Sequence, residues 1–395
     1  MTRSVPDERA ELREQVITWR RYLHQHPELS FQEHETAAFV EARLREMPGL
    51  TVTRPTATSV LAVLKGQAGP GRTVLLRADM DALPIQEETG LPFASQTPGV
   101  MHACGHDGHT AMLLGAARLL SAHPEGLSGE VRFIFQHAEE LPPGGAQQLV
   151  DAGIMDGVDV VVGTHLMSVI PTGVIVVREG PLLAASDRFE ITVQGKGGHG
   201  ANPHQTVDPV VIAAQVILAL QAVISRQRDP IEPAVLSVTR IHGGTADNVI
   251  PDQVTLGGTV RTLAPELREQ MPRRMEKLVR GITEGYGATS SFDYVRGYHA
   301  LHNDPGTAAI LREVVQDTLG SQVTLHGGQP NMGSEDFSAY LTKAPGTFII
   351  IGAGNAEEGI TAPHHHPRFT VDERALDHGV ALYVAAARRL TRPTT

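Results

Sequence analysis

The chain has 395 residues, 41% of them hydrophobic and 19% charged, with a formal net charge of -11 at neutral pH. That length exceeds one small core and suits two domains, or one large domain carrying an inserted one, and the composition excludes a disordered chain. The acidic balance, without any basic run, argues against nucleic acid or an anionic membrane surface as main partner, since both reward clustered Lys and Arg. Residues 1–14 alternate charges and lack the apolar stretch of a secretory signal. The most apolar stretch, around residues 158–177, is broken by His165 and Pro171 and is too polar for a membrane span. The single cysteine excludes an internal disulfide and agrees with a reducing compartment, so the expected location is the cytoplasm.

In chain order, residues 7–23 and 33–47 carry apolar positions at helical spacing, separated by the turn at His26 and Pro27. Residues 59–64 and 73–77 read as buried strands, 109–120 as a helix, and 131–135 and 158–163 as further short strands. Strands alternating with helices predict an α/β domain with a mostly parallel sheet, in which functional residues collect where strands end. From residue 188 the pattern changes to strand 188–194, helix 208–224, strands 234–241 and 254–261, helix 265–283 and strand 290–296. This β-α-β-β-α-β order is complete in itself as a ferredoxin-like α+β unit. Strand 347–351 and helix 375–390 then close the first domain. The expected organisation is one α/β domain from 1–185 and 298–395, interrupted by a smaller α+β domain at 186–297.

The chemistry gathers in a few segments. Cys104, His106, Asp107 and His109 fall with His102 inside eight residues, more potential ligands than a helix N-terminus capped by Asp107 and Thr110 requires. A thiolate and an imidazole so close suit a borderline-soft divalent ion, with Asp107 placed to orient an imidazole from behind. Asp79 and Asp81 emerge where strand 73–77 ends and share one face if the chain stays extended. Glu139 and Glu140 follow strand 131–135; adjacent glutamates point apart, so one can ligate while the other handles protons. His165 follows strand 158–163, and one of His364, His365 and His366 is a further candidate ligand. In the inserted domain, Gly195 to Gly200 spells a formal G-x-G-x-x-G, but Asn202 and Pro203 intervene before the helix, which defeats a dinucleotide reading and favours a turn presenting His199. Asn248 is placed to hydrogen-bond substrate and Arg261 to pair with a carboxylate. Ser334 reads as the N-cap of a helix with acids in its first turn. A G-x-S-x-G elbow, a phosphate-binding P-loop and an H-E-x-x-H helix are all missing from the sequence.

Together these segments resemble the M20 metallopeptidase family. The resemblance rests on Arg-Ala-Asp-Met-Asp-Ala-Leu-Pro at 77–84, Met-His-Ala-Cys-Gly-His-Asp-Gly-His-Thr at 101–110, His-Ala-Glu-Glu at 137–140, Gly-Gly-His-Gly-Ala-Asn-Pro-His at 197–204 and His-His-Pro-Arg-Phe at 365–369. The opening Tyr-Leu-His-Gln-His-Pro-Glu-Leu-Ser-Phe-Gln-Glu at 22–33 is similar to the amidohydrolase branch: hippurate hydrolases, N-acyl-amino-acid amidohydrolases and auxin-conjugate hydrolases. The resemblance implies a two-metal catalytic domain and a lid that commonly mediates dimerisation, hence a homodimer or higher homo-oligomer. It implies Cys104, His106, Glu140, His165 and His365 as ligands of two divalent cations, Zn²⁺ or Mn²⁺, with Co²⁺ and Ni²⁺ also admitted. It implies Glu139 as general acid/base, Asp81 as the residue that orients or charges the site, His199 as oxyanion partner, and Asn248 and Arg261 as substrate contacts. Much of the wider family has a histidine ligand where Asp79 stands, so Asp79 does not inherit a ligand role. The implied reaction is hydrolysis of the amide bond of an N-acyl amino acid; a dipeptidase or carboxypeptidase on the same scaffold, and a non-catalytic metal-binding protein, are the alternatives.

Overall fold

The computed structural model describes residues 5–393, with side chains from residue 10; residues 1–4 of the charged opening segment lie outside the described residues. Contacts divide the chain into two units: residues 1–180, 302–329 and 336–395 form the first, and 181–301 with 330–335 the second.

The first unit begins with α1 (Val5–Gln25), α2 (His34–Arg45), β1 (Leu50–Thr53), β2 (Val60–Lys65), β3 (Thr73–Asp79), α3 (His106–Ala122), β4 (Glu130–Gln136), α4 (Ala146–Asp151), β5 (Val160–Pro171) and β6 (Val174–Val176). After β7 (Gly180–Leu183), the second unit supplies β8 (Ala185–Gln194), β9 (Gly198–His199), α5 (Pro209–Arg226), β10 (Ala234–His242), β11 (Val249–Ile250), β12 (Gln253–Thr262), α6 (Pro265–Gly285) and β13 (Thr289–Val295). Following β14 (Leu301–Asn303), the first unit is completed by α7 (Pro305–Leu319), β15 (Thr324–His326), β16 (Gly346–Gly354) and α8 (Arg374–Leu390).

The eight-stranded sheet runs β1-β2-β4-β3-β5-β16-β6-β15. Its four central strands, β4, β3, β5 and β16, are mutually parallel, as the alternating strand-helix pattern predicts. They are near-continuous apolar runs because helices cover them: every residue of β16 is buried, and α3 and α8 pack against the sheet and each other. Central parallel strands put their C-terminal ends on one edge, and the segments after β3 and β4 leave from it. β5 continues well past residue 163, so His165 lies within the strand rather than after it. Its pairing with β3 nevertheless stops at Gly163, while β16 accompanies it further, so His165 still sits where the sheet opens at that edge.

The four-stranded sheet of the second unit, ordered β10-β12-β8-β13 and antiparallel throughout, is the ferredoxin-like arrangement expected from the β-α-β-β-α-β order. Phe189, Ile191 and Val193 of β8 pack with Ile212, Val216 and Leu220 of α5 and Met271, Met275 and Val279 of α6 in its separate core. Asp208 caps α5, its carboxylate accepting the Val210 and Val211 amides, and Pro209 occupies the first turn.

Candidate metal centre

The site grows from the end of β3. Gly105, in the left-handed region at φ 92°, turns the chain into α3 three residues earlier than the spacing predicts, so His106 is the first helical residue rather than part of a loop. The His106 ring is locked from behind. Its Nδ1 lies 2.9 Å from the Asp81 carbonyl oxygen, which can only accept, so Nδ1 carries a proton and Nε2 is the nitrogen left to face the site, where a bound cation would take the place of its proton. That Nε2 is buried, makes no hydrogen bond, and lies 4.0 Å from Glu140 Oε1 and 3.5 Å from Asp79 Oδ2. Burial alone would lower the basicity of His106, but the Asp79 and Asp81 carboxylates outweigh it and raise its pKa to about 10.

His165 is oriented by the same device. Its Nδ1 donates to the Leu166 carbonyl at 2.7 Å, leaving Nε2 directed at Cys104 Sγ, 3.5 Å away. Burial and the negative charges of Glu140 and Glu139 push the Cys104 thiol well above its usual range, a penalty that a bound cation would reverse. His365, at φ 62°, is fixed by its amide on the Ala103 carbonyl and brings Nε2 to 3.2 Å from Glu140 Oε1. The Glu140 carboxylate raises the pKa of His365. The two neighbouring histidines are spent elsewhere: His364 Nε2 contacts the Leu166 carbonyl, and His366 Nδ1 accepts the Arg368 amide.

Among the described residues, ligand atoms within 4.8 Å of one another form five groups: Cys104, His106 and His165; Cys104, Glu140 and His365; His106, Glu139 and Glu140; Asp79, His106 and His109; and Glu139, Glu335 and Asp336. The five expected ligands thus converge in the first unit, with Cys104 shared between two groups. The donor set of one thiol, three imidazoles and carboxylates, with His106 Nε2 buried and making no hydrogen bond, fits divalent transition-metal ions.

Asp81 organises the backbone of the carboxylate pair. Its carboxylate accepts the Glu139 and Glu140 amides, both at 3.0 Å, and the Ser30 hydroxyl at 2.6 Å. Glu139 is 7% exposed beside the ligand groups. Asp79 does other work, dividing its carboxylate between Arg77 and His109 at 2.7 and 2.6 Å. His109 in turn accepts the Leu166 amide on Nε2, so both its nitrogens are used and it holds the chain beside His165. Asp107 is buried against Arg20 and His24, tying α1 to the start of α3. Nothing in the spacing of the 101–110 segment separates His109 from His106; the partner that settles it, Asp79, lies thirty residues away.

In the second unit, His199 is exposed on β9 and its Nδ1 accepts the Ala201 amide. Asn248 is exposed, and its carbonyl accepts the Gly200 amide. Arg261 is half-buried, and desolvation lowers its pKa. Its guanidinium donates to Ser334, so Ser334 serves Arg261 rather than capping a helix; the short 3₁₀ turn begins at Asp336.

The profile of Peptidase family M20/M25/M40 matches residues 75–389. An N-acyl-L-amino acid amidohydrolase of Geobacillus stearothermophilus is 57% identical over 293 residues, covering 74% of this chain and 79% of that protein. Thermostable carboxypeptidase 1 of Saccharolobus solfataricus is 42% identical over 381 residues, 95% of each chain. The crystal structure of Bacillus subtilis YXEP, a dinuclear metal-binding peptidase of family M20, superposes with a TM-score of 0.84 at 38% identity, covering 97% of this chain and 99% of that one. The chain is accordingly a metal-dependent hydrolase of amide bonds and belongs to peptidase family M20/M25/M40.

Proposed function

We propose that the enzyme hydrolyses the amide bond of N-acyl amino acids, with Cys104, His106, Glu140, His165 and His365 holding two divalent cations and Glu139 moving the proton. The observation that carries this reading is the Glu139–Glu140 pair: Asp81 binds both amides, one carboxylate joins the group of Cys104 and His365, and the other stands beside it almost fully buried. Two bound cations supply Lewis-acid polarisation of the scissile carbonyl and a lowered pKa for the attacking water. Glu139 accepts a proton from that water on its carboxylate and returns it to the leaving nitrogen. Asp81 keeps Glu139 in place and, through its carbonyl, keeps the proton of His106 on Nδ1. His199 is assigned as donor to the tetrahedral oxygen, and Asn248 and Arg261 as contacts of the substrate carboxylate. The thiol ligand favours Zn²⁺ on softness over Mn²⁺, Co²⁺ or Ni²⁺. A cysteine ligand also suits a reducing cytoplasm.

Glu139→Gln should lower kcat by about 10²–10⁴-fold while metal content stays at the wild-type value. Wild-type-like turnover in that variant removes the assigned role. The likeness to the Saccharolobus solfataricus carboxypeptidase favours a second reading, cleavage between two amino acids by the same residues. Parallel assays on N-acetyl and N-benzoyl amino acids and on dipeptides separate the two.

We further propose a homodimer formed through the second unit. The outer face of α5 leaves Val210, Val211 and Leu218 44–67% exposed, and β10 is an unpaired sheet edge carrying the exposed Ile241.

A further inference from the structure

Among the described residues only three other than glycine have positive φ: Phe31 at 67°, Ala138 at 50° and His365 at 62°. His365 is a candidate ligand, and the other two are joined by one buried oxygen. Glu33 precedes α2, and its Oε1 accepts the Phe31 amide at 3.0 Å and the Ala138 amide at 2.8 Å, 105 residues further along the chain. Its side chain is not needed to cap α2, because the Glu28 carboxylate takes the Glu35 and Thr36 amides. Glu33 is completely buried, and its Oε2 makes no hydrogen bond. A carboxyl placed so costs free energy unless its position serves something else.

What it serves is the turn after β4. Ala138 leaves the strand in a conformation that L-residues avoid, and that single reversal separates His137 from the Glu139–Glu140 pair. The Ala138 carbonyl is held in turn by the Gly145 amide at 2.9 Å. On the same stretch of the N-terminal segment, Ser30 donates to Asp81, which grips the next two amides. Residues 30–33 therefore fix three successive amides, at 138, 139 and 140, one directly and two through Asp81.

We propose that Glu33 is a positioning residue of the hydrolytic site: by accepting the Phe31 and Ala138 amides on one oxygen, it holds Ala138 left-handed and so sets the direction in which Glu139 and Glu140 project. The proposal rests on the roles given above to that pair. It requires the acceptor to be at the right distance and does not require its charge. Burial and the neighbouring Asp81 in fact raise the Glu33 pKa to about 7, so the acceptor serves with or without a proton.

The test compares Glu33→Gln, which keeps the oxygen where it is and removes the charge, with Glu33→Asp, which keeps the charge and withdraws the oxygen by one methylene. Metal-stripped protein is titrated with Zn²⁺, and kcat and KM are measured on an N-acetyl amino acid. The Gln variant should stay within about threefold of wild type in Zn²⁺ affinity and kcat. The Asp variant should lose at least tenfold in affinity for the more weakly held Zn²⁺ and at least thirtyfold in kcat, with KM within threefold. Adding Ala138→Gly to the Asp variant should recover at least fivefold of the affinity, because glycine adopts the left-handed conformation unaided. The inference is overturned if the Asp variant matches wild type, if Gln falls as far as Asp, or if Ala138→Gly recovers nothing. A wild-type enzyme inactive on N-acyl amino acids would instead refute the substrate assignment, and the Zn²⁺ titration, which needs no substrate, still decides Glu33.

Discussion

Asp79 and Asp81 stand two residues apart and flank the same imidazole, yet their partners give them different work. Asp81 acts on backbone amides and on His106, whereas Asp79 is enclosed with Arg77 and His109. Although its burial opposes ionisation, the Arg77 guanidinium and the surrounding imidazoles hold the Asp79 carboxyl well below the usual carboxylate range. Removing one partner of such a buried set leaves the others uncompensated, at about 3–5 kcal/mol. Arg77 retains Asp336, so we place Asp79→Ala near about 3 kcal/mol of lost stability, measured by urea unfolding in the presence of chelator so that metal loss does not contribute. At this scale the sequence was informative about ligand types and uninformative about second partners. Cysteine, histidine and glutamate at strand ends announce a metal site through their own chemistry. Glu33 looks like any acid beside a helix start, and only the fold brings it to Ala138.

Between elements, the sites of closest approach are the ones that periodicity does not reveal. The apolar spacing correctly predicts α3 and α8, but not how near they come. A Cβ at Gly115 of α3 would stand 2.8 Å from Val16 of α1 and 2.9 Å from Val380 of α8. Both neighbours are β-branched and have little rotamer freedom with which to yield. Gly281 of α6 presents the opposite case, with nothing within 4 Å of its would-be Cβ. Replacing a helical glycine by alanine gains about 1 kcal/mol of propensity, whereas overpacking a tight contact costs about 1–3 kcal/mol. Gly281→Ala should therefore raise stability by about 0.5–1 kcal/mol, and Gly115→Ala should lower it by about 1–2 kcal/mol net. Denaturant unfolding of the two variants side by side checks the pair, and a stabilised Gly115→Ala would show that the three helices can separate without cost.

For the molecule as a whole, the strand order made the insertion legible, because a β-α-β-β-α-β run closes its own sheet and leaves the flanking α/β pattern to be completed from both sides. Residues 330–335 escaped that reading. They group with the second unit through the Leu183–Asn331 bridge, the Ala184 amide on Gly333 and Arg261 on Ser334, contacts that carry no periodic signal. The same limit applies to association. α5 is apolar and long enough that length and composition alone would let it cross a membrane, yet Ile212, Ala213, Val216, Leu220 and Val223 face the core of the second unit. That leaves Leu218, at 67% exposure, with no role inside the chain. If a second copy covers it, a charge there should cost association and not folding. Leu218→Glu is expected to shift the sedimentation mass from twice that of the chain to 42.4 kDa, with thermal unfolding of the second unit changed little at high protein concentration. A dimer that survives the substitution would show that this face of α5 is not the interface, and a monomeric wild-type protein would remove the dimer itself.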